Sequence, residues 1–510
     1  MNQKIACLII TALLLSSCGF RAASPTLAAG TTAPTTTGAS PQSNPTETGS
    51  TAVSPAKSPT AIQPSETTVT AQPGSTPQPT PAAPVAGIHL KNPITPEQLT
   101  MIKEAGVHWT RTDVFHWNQI EPIKSSPAVY DWSSVDEQSL QIASADGLQF
   151  VASVLYAPAW AQKSPGVLCG AVAEGAMDAF ANFVGALVSR YSQPPFNVKY
   201  WEIGNEPDID PTLVPPDSGY GCWGNKADAY YGGGYYARVL QAVYPKLKTA
   251  DPEAQLIIGG LLLDCDPVKP PEVPAGSGNL KDCTPSKFLE GILKNGGANA
   301  FDGISLHSYD YYGGTLGNYS NPNWHSGFDK GGPALIAKAE YISSLLVSYS
   351  AANKYLLGTE LAILCGRDGT ESICMTPEYE ETKASYLVQA MTYAQVYHFR
   401  AMTWYGLFGW RGSGLVTRSL APLPAYEALK FYTALVGEAV FKRSINDLTG
   451  VSGYEFINGG QTIWVLWSAD GKNHSTSLPS APQNIYNLNG DTLPVQPGIN
   501  IGTEPVYVVW

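Results

Sequence analysis

Histidine is scarce in this sequence, with 7 in 510 residues, and no two of them form an H-x-H pair. That argues against a metal-dependent hydrolytic centre, which needs clustered imidazole and carboxylate ligands. Basic residues are outnumbered, with 30 Lys and Arg against 42 Asp and Glu for a formal charge of −12. A surface of that sign repels phosphate backbones and excludes a nucleic-acid partner. No C-x-x-C pair occurs among the 8 cysteines, so zinc ligation has no local spacing to rest on. No G-x-G-x-x-G follows the first candidate strand, and the dinucleotide-binding fold loses its main support. None of these patterns implies a cofactor or a metal.

What is present begins with a leader. Lys4 precedes an apolar run from Ile5 to Leu15, and residues 1–17 have the layout of a signal peptide, too short to span a bilayer. Leu15-Ser16-Ser17-Cys18 resembles a bacterial lipobox, which implies that Cys18 becomes the lipidated first residue of the mature protein. No later apolar run is long enough to cross a membrane, so lipid would be the only anchor of an extracellular, cell-surface protein. Residues 18–84 follow Cys18 with Ser, Thr, Pro, Ala and Gly and almost no large apolar side chain, so they read as a disordered tether. A glycosylated stalk or a plain spacer fits the same composition.

Six cysteines remain once Cys7 and Cys18 are set aside, and an exported chain sits where disulfides persist. Sequence proximity favours Cys365 with Cys374, Cys265 with Cys283 and, across a longer gap, Cys169 with Cys222, out of fifteen possible pairings.

Beyond Pro84, short apolar runs alternate with amphipathic stretches, the signature of repeated β-α units and a parallel sheet. The candidate strands are Val85–His89, Val107–Asp113, Leu148–Val154, Val198–Gly204, Gln255–Gly260, Phe301–Leu306, Lys354–Thr359 and Arg400–Tyr405. Met177, Phe180, Val184, Leu187, Val188 and Tyr191 share one face of a helix. Thr95-Pro96-Glu97-Gln98 carries an N-cap, a first-turn proline and a capping-box glutamine. Leu423-Pro424-Ala425-Tyr426 opens a helix that ends near Val436. Eight such units over residues 85–436 predict a (β/α)8 TIM barrel. Over residues 437–510 the helical period disappears. Tyr454–Ile457, Thr462–Trp467, Asn484–Leu488 and Val506–Trp510 predict a small all-β sandwich, with a hairpin turn at Asn458-Gly459-Gly460.

In such a barrel, chemistry is expected at the C-terminal strand ends. Strand four ends Tyr200-Trp201-Glu202-Ile203-Gly204-Asn205-Glu206-Pro207, and strand seven ends Leu356-Leu357-Gly358-Thr359-Glu360. Two carboxylates on those strands face each other across the mouth. Glycoside hydrolysis needs such a pair, one protonated acid for the leaving oxygen and one ionised carboxylate at the anomeric carbon. The expected acid is Glu206, and Glu360 is expected to stay ionised beside Tyr309 and Arg111. A separation of about 5–5.5 Å gives retention and one of about 6.5–9.5 Å gives inversion, a distance the sequence leaves open.

These residues resemble the retaining glycosidases of clan A, families 39 and 5 in particular. There an acid/base glutamate follows an asparagine on strand four, and the nucleophile closes strand seven. The resemblance implies catalytic Glu206 and Glu360, with substrate-binding Arg111, Asn205, His307, Tyr309 and Trp404, the last as pocket floor. His89, at the end of strand one, is a further contact candidate or a core histidine. Trp117-Asn118-Gln119-Ile120-Glu121-Pro122 with Tyr130-Asp131-Trp132 is similar to those families' strand-two loop, and Asp251-Pro252-Glu253-Ala254 before strand five looks familial too. The implied substrate is an extracellular oligo- or polysaccharide cleaved by double displacement.

Some residues take blander readings. Glu202 reads as a solvated or structural acid and Glu121 as a turn residue. Tyr309-Asp310-Tyr311-Tyr312, Trp223, Trp324 and Trp410 are either subsite walls or loop packing. The chain holds 12 Trp and 27 Tyr, which suits stacking on sugar rings, although most such rings are expected in the core. A non-catalytic glycan-binding lipoprotein predicts loss of one carboxylate, and both are kept. A transglycosylase would share the covalent intermediate. The insert from Cys265 to Cys283 is a hint of a restricted site, and the sugar itself is not legible.

Overall fold

The computed structural model describes residues 84–510 apart from 92–93, 136–139, 141–143, 145–146, 168, 215–219 and 328–331. The signal-like segment, Cys18 and the tether lie outside the described residues.

Eight parallel strands form the barrel: β1 Ala86–Ile88, β2 Trp109–His116, β3 Gln149–Leu155, β4 Tyr200–Asn205, β5 Gln255–Leu261, β6 Gly303–Tyr312, β7 Tyr355–Leu364 and β8 Ala401–Trp404. Each pairs with its sequence neighbour, and β8 pairs with β1, so the ring closes. The outer helices include α1 Pro96–Glu104, α2 Met177–Tyr191, α3 Gly233–Ala250, α4 Phe288–Lys294, α5 Ala334–Ser348, α6 Pro377–Val396 and α7 Pro424–Leu435. Helix α1 starts where the capping box requires: Thr95 Oγ1 accepts from Gln98 N, and the Gln98 side chain accepts from Thr95 N.

Side chains of alternate residues point inward, so one strand fills successive barrel layers. The lowest layer is apolar, with Trp109, Val151, Ile257, Leu357 and Ala401 in one cluster. Two residues further along each strand, the layer is polar and buried: Arg111, Ser153, Glu202, Ser305, Thr359 and Thr403.

Strands β2, β6 and β7 run past their expected ends. Near the mouth β7 is bulged against both neighbours, since Leu306 pairs with Gly358 but His307 pairs with Glu360, and Gly358 pairs with Met402 but Leu361 with Trp404. An extra residue at that point re-aims the side chains that follow.

The C-terminal region has eight strands: β9 Val440–Ser444, β10 Val451–Asn458, β11 Gln461–Ser468, β12 His474–Ser477, β13 Asn484–Tyr486, β14 Thr492–Leu493, β15 Gly498–Ile501 and β16 Val506–Val509. Six form an antiparallel sheet in the order β9-β10-β11-β16-β13-β14, and β12 pairs with β15 beside it. The sequence misses β9, β12, β14 and β15, which are short and half-exposed and lack a strong apolar alternation. The expected hairpin is present, with Gly459 and Gly460 at φ 54° and 90° and Asn458 paired to Gln461.

Strand β11 is buried on both faces. Ile463, Val465 and Trp467 join the barrel's own core, while Trp464 and Leu466 pack toward the β12–β15 side. On the barrel face, Tyr393 of α6 lies 5.5 Å from the Tyr454 ring and 5.6 Å from that of Trp467. The β sandwich and the barrel therefore share one core. Trp467→Ala is expected to cost about 3–5 kcal/mol, the scale for removing a buried large aromatic. Urea unfolding should show a lower midpoint for the barrel and sandwich in a single transition.

Candidate active site

The three disulfides pair Cys169 with Cys222, Cys265 with Cys283 and Cys365 with Cys374, as sequence proximity favours. All three lie in loops beyond the C-terminal strand ends. The first joins the loop after β3 to the loop after β4, and so holds two walls of the mouth together.

Arg111 is fully buried and divides its guanidinium among three partners. Nε donates to Glu202 Oε2 at 2.7 Å, Nη1 to Glu360 Oε1 at 2.7 Å and Nη2 to Asn205 Oδ1 at 2.6 Å. Glu202 also accepts from Ser153 Oγ at 2.7 Å, from Thr359 Oγ1 at 3.0 Å and from Ser305 Oγ. Burial opposes its ionisation, yet Arg111 and these hydroxyls hold it below the ordinary carboxylate range. Glu202 is thus a buried, ionised support beneath the mouth.

Glu206 follows β4 in a left-handed conformation, φ 44°, after Gly204 at φ 79°. A non-glycine residue there is strained, and the position is held by Glu206 N donating to Gly260 O at 3.0 Å. Its Oε1 lies 2.8 Å from His307 Nδ1. The same nitrogen lies 3.4 Å from Glu360 Oε2, which also accepts from the Tyr309 hydroxyl. One oxygen of Glu206, one of Glu360 and a ring nitrogen of His307 all fall within 4.8 Å of one another.

The two carboxyls have different surroundings. Burial pushes Glu206 up to about 7. Glu360 instead has the Arg111 guanidinium on one oxygen and a hydroxyl donor on the other. Burial pushes His307 down to about 4, so the imidazole is neutral near pH 7, and it raises the Tyr309 phenol. A Cβ at Gly260 would overlap His307 Nε2, so glycine is required for the ring to sit there. The Glu206–His307–Glu360 group could ligate a cation by distance alone. Arg111 already supplies a fixed positive charge to Glu360.

The expected residues are thereby brought together, with one correction. Trp404 is fully enclosed, donates Nε1 to Ser413 O at 2.7 Å and packs on Tyr386, so its ring cannot be the pocket surface. Ala401 and Thr403 point into the barrel, so the pleat turns Trp404 outward against Tyr386 of α6, and the next residue, Tyr405, lines the cavity at the β8–β1 side of the mouth instead. His89 also lines the opening, with its ring centroid 5.0 Å from that of Tyr405.

Three contributors escaped the sequence reading. Asp113 lies two residues beyond Arg111 on the same face of β2, a parity signal that was available. Its side chain is 40% exposed to the mouth, 3.7 Å from Arg111 Nη1 and 3.5 Å from His89 Nε2. Burial opposes its charge, but Arg111 holds it well below the usual range. Lys338 of α5 donates to His307 O at 2.8 Å and to Leu262 O at 2.6 Å. Asp208 accepts from Leu262 N and Leu263 N, each at 2.8 Å, tying the loop after β5 to the Glu206 loop. No periodicity marks either of the last two.

The remaining aromatic candidates divide. Trp223 and Trp324 are buried, whereas Trp410 and Tyr311 are exposed. Glu121 is buried and accepts from Trp117 Nε1 at 2.8 Å, and Trp117 stacks on Phe183, so the strand-two loop motif is packing.

No protein-family model matches the chain, and no curated protein matches it in sequence. Solved structures match its fold. A family 39 glycoside hydrolase from Bacteroides cellulosilyticus WH2 gives a TM-score of 0.59 at 19% identity, covering 83% of this chain and 80% of that one. A monomeric β-xylosidase from Caulobacter crescentus CB15 gives 0.52 at 16% identity, covering 84% and 96%. A family 30 endoxylanase from Clostridium papyrosolvens C71 gives 0.53 at 12% identity, also covering 84% and 96%. The chain has the (β/α)8 fold of the clan A glycoside hydrolases.

Arg111→Met removes the only cation hydrogen-bonded to Glu202 among the described residues. It is expected to cost about 3–5 kcal/mol at pH 7 by leaving a buried charge uncompensated. Denaturant unfolding should show Arg111→Met/Glu202→Gln recovering part of that loss.

Proposed function

We propose that this chain is an extracellular retaining glycoside hydrolase. The observation that carries the reading is the close pair of carboxyls, with one oxygen of Glu206 within 4.8 Å of one of Glu360, and Glu206 raised by burial to about 7. An approach that close supports double displacement, whose carboxyls stand about 5–5.5 Å apart, over inversion, which needs about 6.5–9.5 Å. The fold shared with glycosidases supports the same class.

In this mechanism Glu360 attacks the anomeric carbon. Arg111 donates to one of its oxygens, while the Tyr309 hydroxyl orients the other. Glu206, protonated below about pH 7, gives its proton to the leaving oxygen and then, as carboxylate, takes one from the incoming water. Neutral His307 holds Glu206 through Nδ1. Asn205 Oδ1 is occupied by Arg111, so its amide nitrogen faces the sugar as a donor. Three disulfides suit an oxidising compartment, and the Cys18 lipobox with its tether would hold the enzyme at a bacterial surface.

Glu360→Ala is expected to abolish turnover of aryl β-glycosides, with azide restoring it as a glycosyl azide of inverted anomeric configuration. Wild-type activity in that variant ends the nucleophile assignment. Glu206→Ala should retain substrates with good leaving groups and lose about 10²–10⁴-fold on poor ones. Equal losses on both would remove the acid role.

The pH dependence follows from Glu206. Its folded-state value of about 7 lies above the ordinary carboxyl range, so the working protonated form is lost as pH rises through about 7. The alkaline limb of kcat/KM should fall there and vanish in Glu206→Gln, measured on an activated substrate. The same shift makes folding less favourable above pH 7, where a buried carboxylate must be held. Glu206→Gln should therefore raise Tm more at pH 8 than at pH 5.

A further inference from the structure

A cavity of about 440 Å³ opens on the β8–β1 side of the mouth, lined by His89, Lys91, Gln98, Tyr405, Phe408 and neighbouring backbone; the Tyr405 ring lies 6.3 Å from that of Tyr309, which donates to Glu360. His89 and Tyr405 form its inner wall. His89 is buried, with Nε2 3.5 Å from Asp113 Oδ2, and its Nδ1 has no hydrogen-bond partner among the described residues, so the wall offers one polar atom with unmet capacity.

The charges around this cavity differ from those of the chain as a whole. Among the described residues its lining contains no carboxylate, although Asp and Glu exceed Lys and Arg by 42 to 30 overall. Lys91 Nζ sits 5.3 Å from the centre of the Tyr405 ring and has no acidic partner among the described residues. Gln98 Oε1 is taken by Thr95 N in the capping box, which leaves its amide nitrogen to donate. The nine-residue helix α1 begins at this wall, so its positive end adds to the same field. Glu97 of the first turn lies outside the lining, and Asp113 stands behind His89 on the catalytic side.

Position decides which part of a substrate reaches the cavity. The leaving group must lie against the acid Glu206 at the end of β4. In an eight-stranded ring β8 and β1 are opposite β4 and β5. The cavity therefore adjoins the sugar whose anomeric carbon is attacked. We infer that it is a second sugar subsite on the glycone side, selective for a residue bearing a carboxylate. Phe408, exposed at its rim, supplies an apolar face, while Lys91, Gln98 and the helix end supply the donors. This inference rests on the hydrolase reading for its orientation and on the cavity for its chemistry.

The test uses paired aryl disaccharide glycosides in which the non-reducing residue is a uronic acid or the same residue with its carboxyl reduced to hydroxymethyl. The full chain should favour the acid member by about fivefold in kcat/KM, the scale of a solvent-exposed ion pair. The preference should shrink with added salt. Lys91→Met should erase the ratio and Lys91→Arg should keep it. A ratio taken within one preparation is not moved by a fraction of unfolded protein. The same pairs, without the aryl group, are titrated calorimetrically into Glu360→Gln protein. Selective binding of the acid member without turnover by wild type on any substrate would keep the subsite and overturn the hydrolase reading. Turnover with no acid preference in any pair, or a preference that survives Lys91→Met, would overturn the subsite.

Discussion

The Arg111 guanidinium carries a charge that the barrel interior cannot solvate, and the side chains around it are arranged to neutralise it. Its planar fork sends separate donors to Glu202, Glu360 and Asn205, which belong to two different strands. A lysine could not hold all three, because a single point charge has no fixed directions. The arrangement orients the proposed nucleophile and the Asn205 amide proposed to face the sugar with one group. Glu202 makes that possible by accepting from Arg111 one layer below the chemistry, so Glu360 need not carry the whole neutralising role.

Backbone irregularities then set where the two proposed catalytic carboxyls point. Regular strands would leave Glu206 and Glu360 to the ordinary alternation of the pleat. The bulge in β7 at Thr359 and the left-handed turn at Glu206 bring both side chains to the same opening. Gly260 leaves space for His307, which contacts both carboxyls through a single nitrogen. Loops beyond the strand ends are held by disulfides, and α6 and α7 are held from outside by the sandwich. Phe431 of α7 packs 5.2 Å from Tyr507 and 5.4 Å from Tyr486. The C-terminal region is thus part of what keeps the barrel's last helices in place.

Much of this was legible in the residue order. The eight strands, the capping box at Thr95 and the glycine hairpin follow from periodicity or turn chemistry, the disulfide pairs from proximity along the chain, and Arg111, Asn205, His307 and Tyr309 from the resemblance to clan A glycosidases. Each depends on a few neighbouring residues or on the parity of one strand. Trp404 was misplaced by one residue, because the side on which a four-residue strand faces the barrel is fixed by its pairing and not by its own short pattern. Glu202 was set aside because a buried acid and an exposed one look alike until their partners are known. Lys338 and Asp208 reach the site from helix and loop positions that no repeat distinguishes.

The residue order by itself determined that a parallel barrel would form, which strand ends would be polar and which two carboxyls would oppose each other. Those features are set by side-chain period and by local turn chemistry. Only the tertiary structure decided that one oxygen of Glu206 lies within 4.8 Å of one of Glu360, that burial raises Glu206 to about 7 and that the cavity at the β8–β1 side has no carboxylate among its described lining residues. Distance, desolvation and enclosed volume each depend on groups more than a hundred residues apart along the chain, and they come into being only when the ring closes.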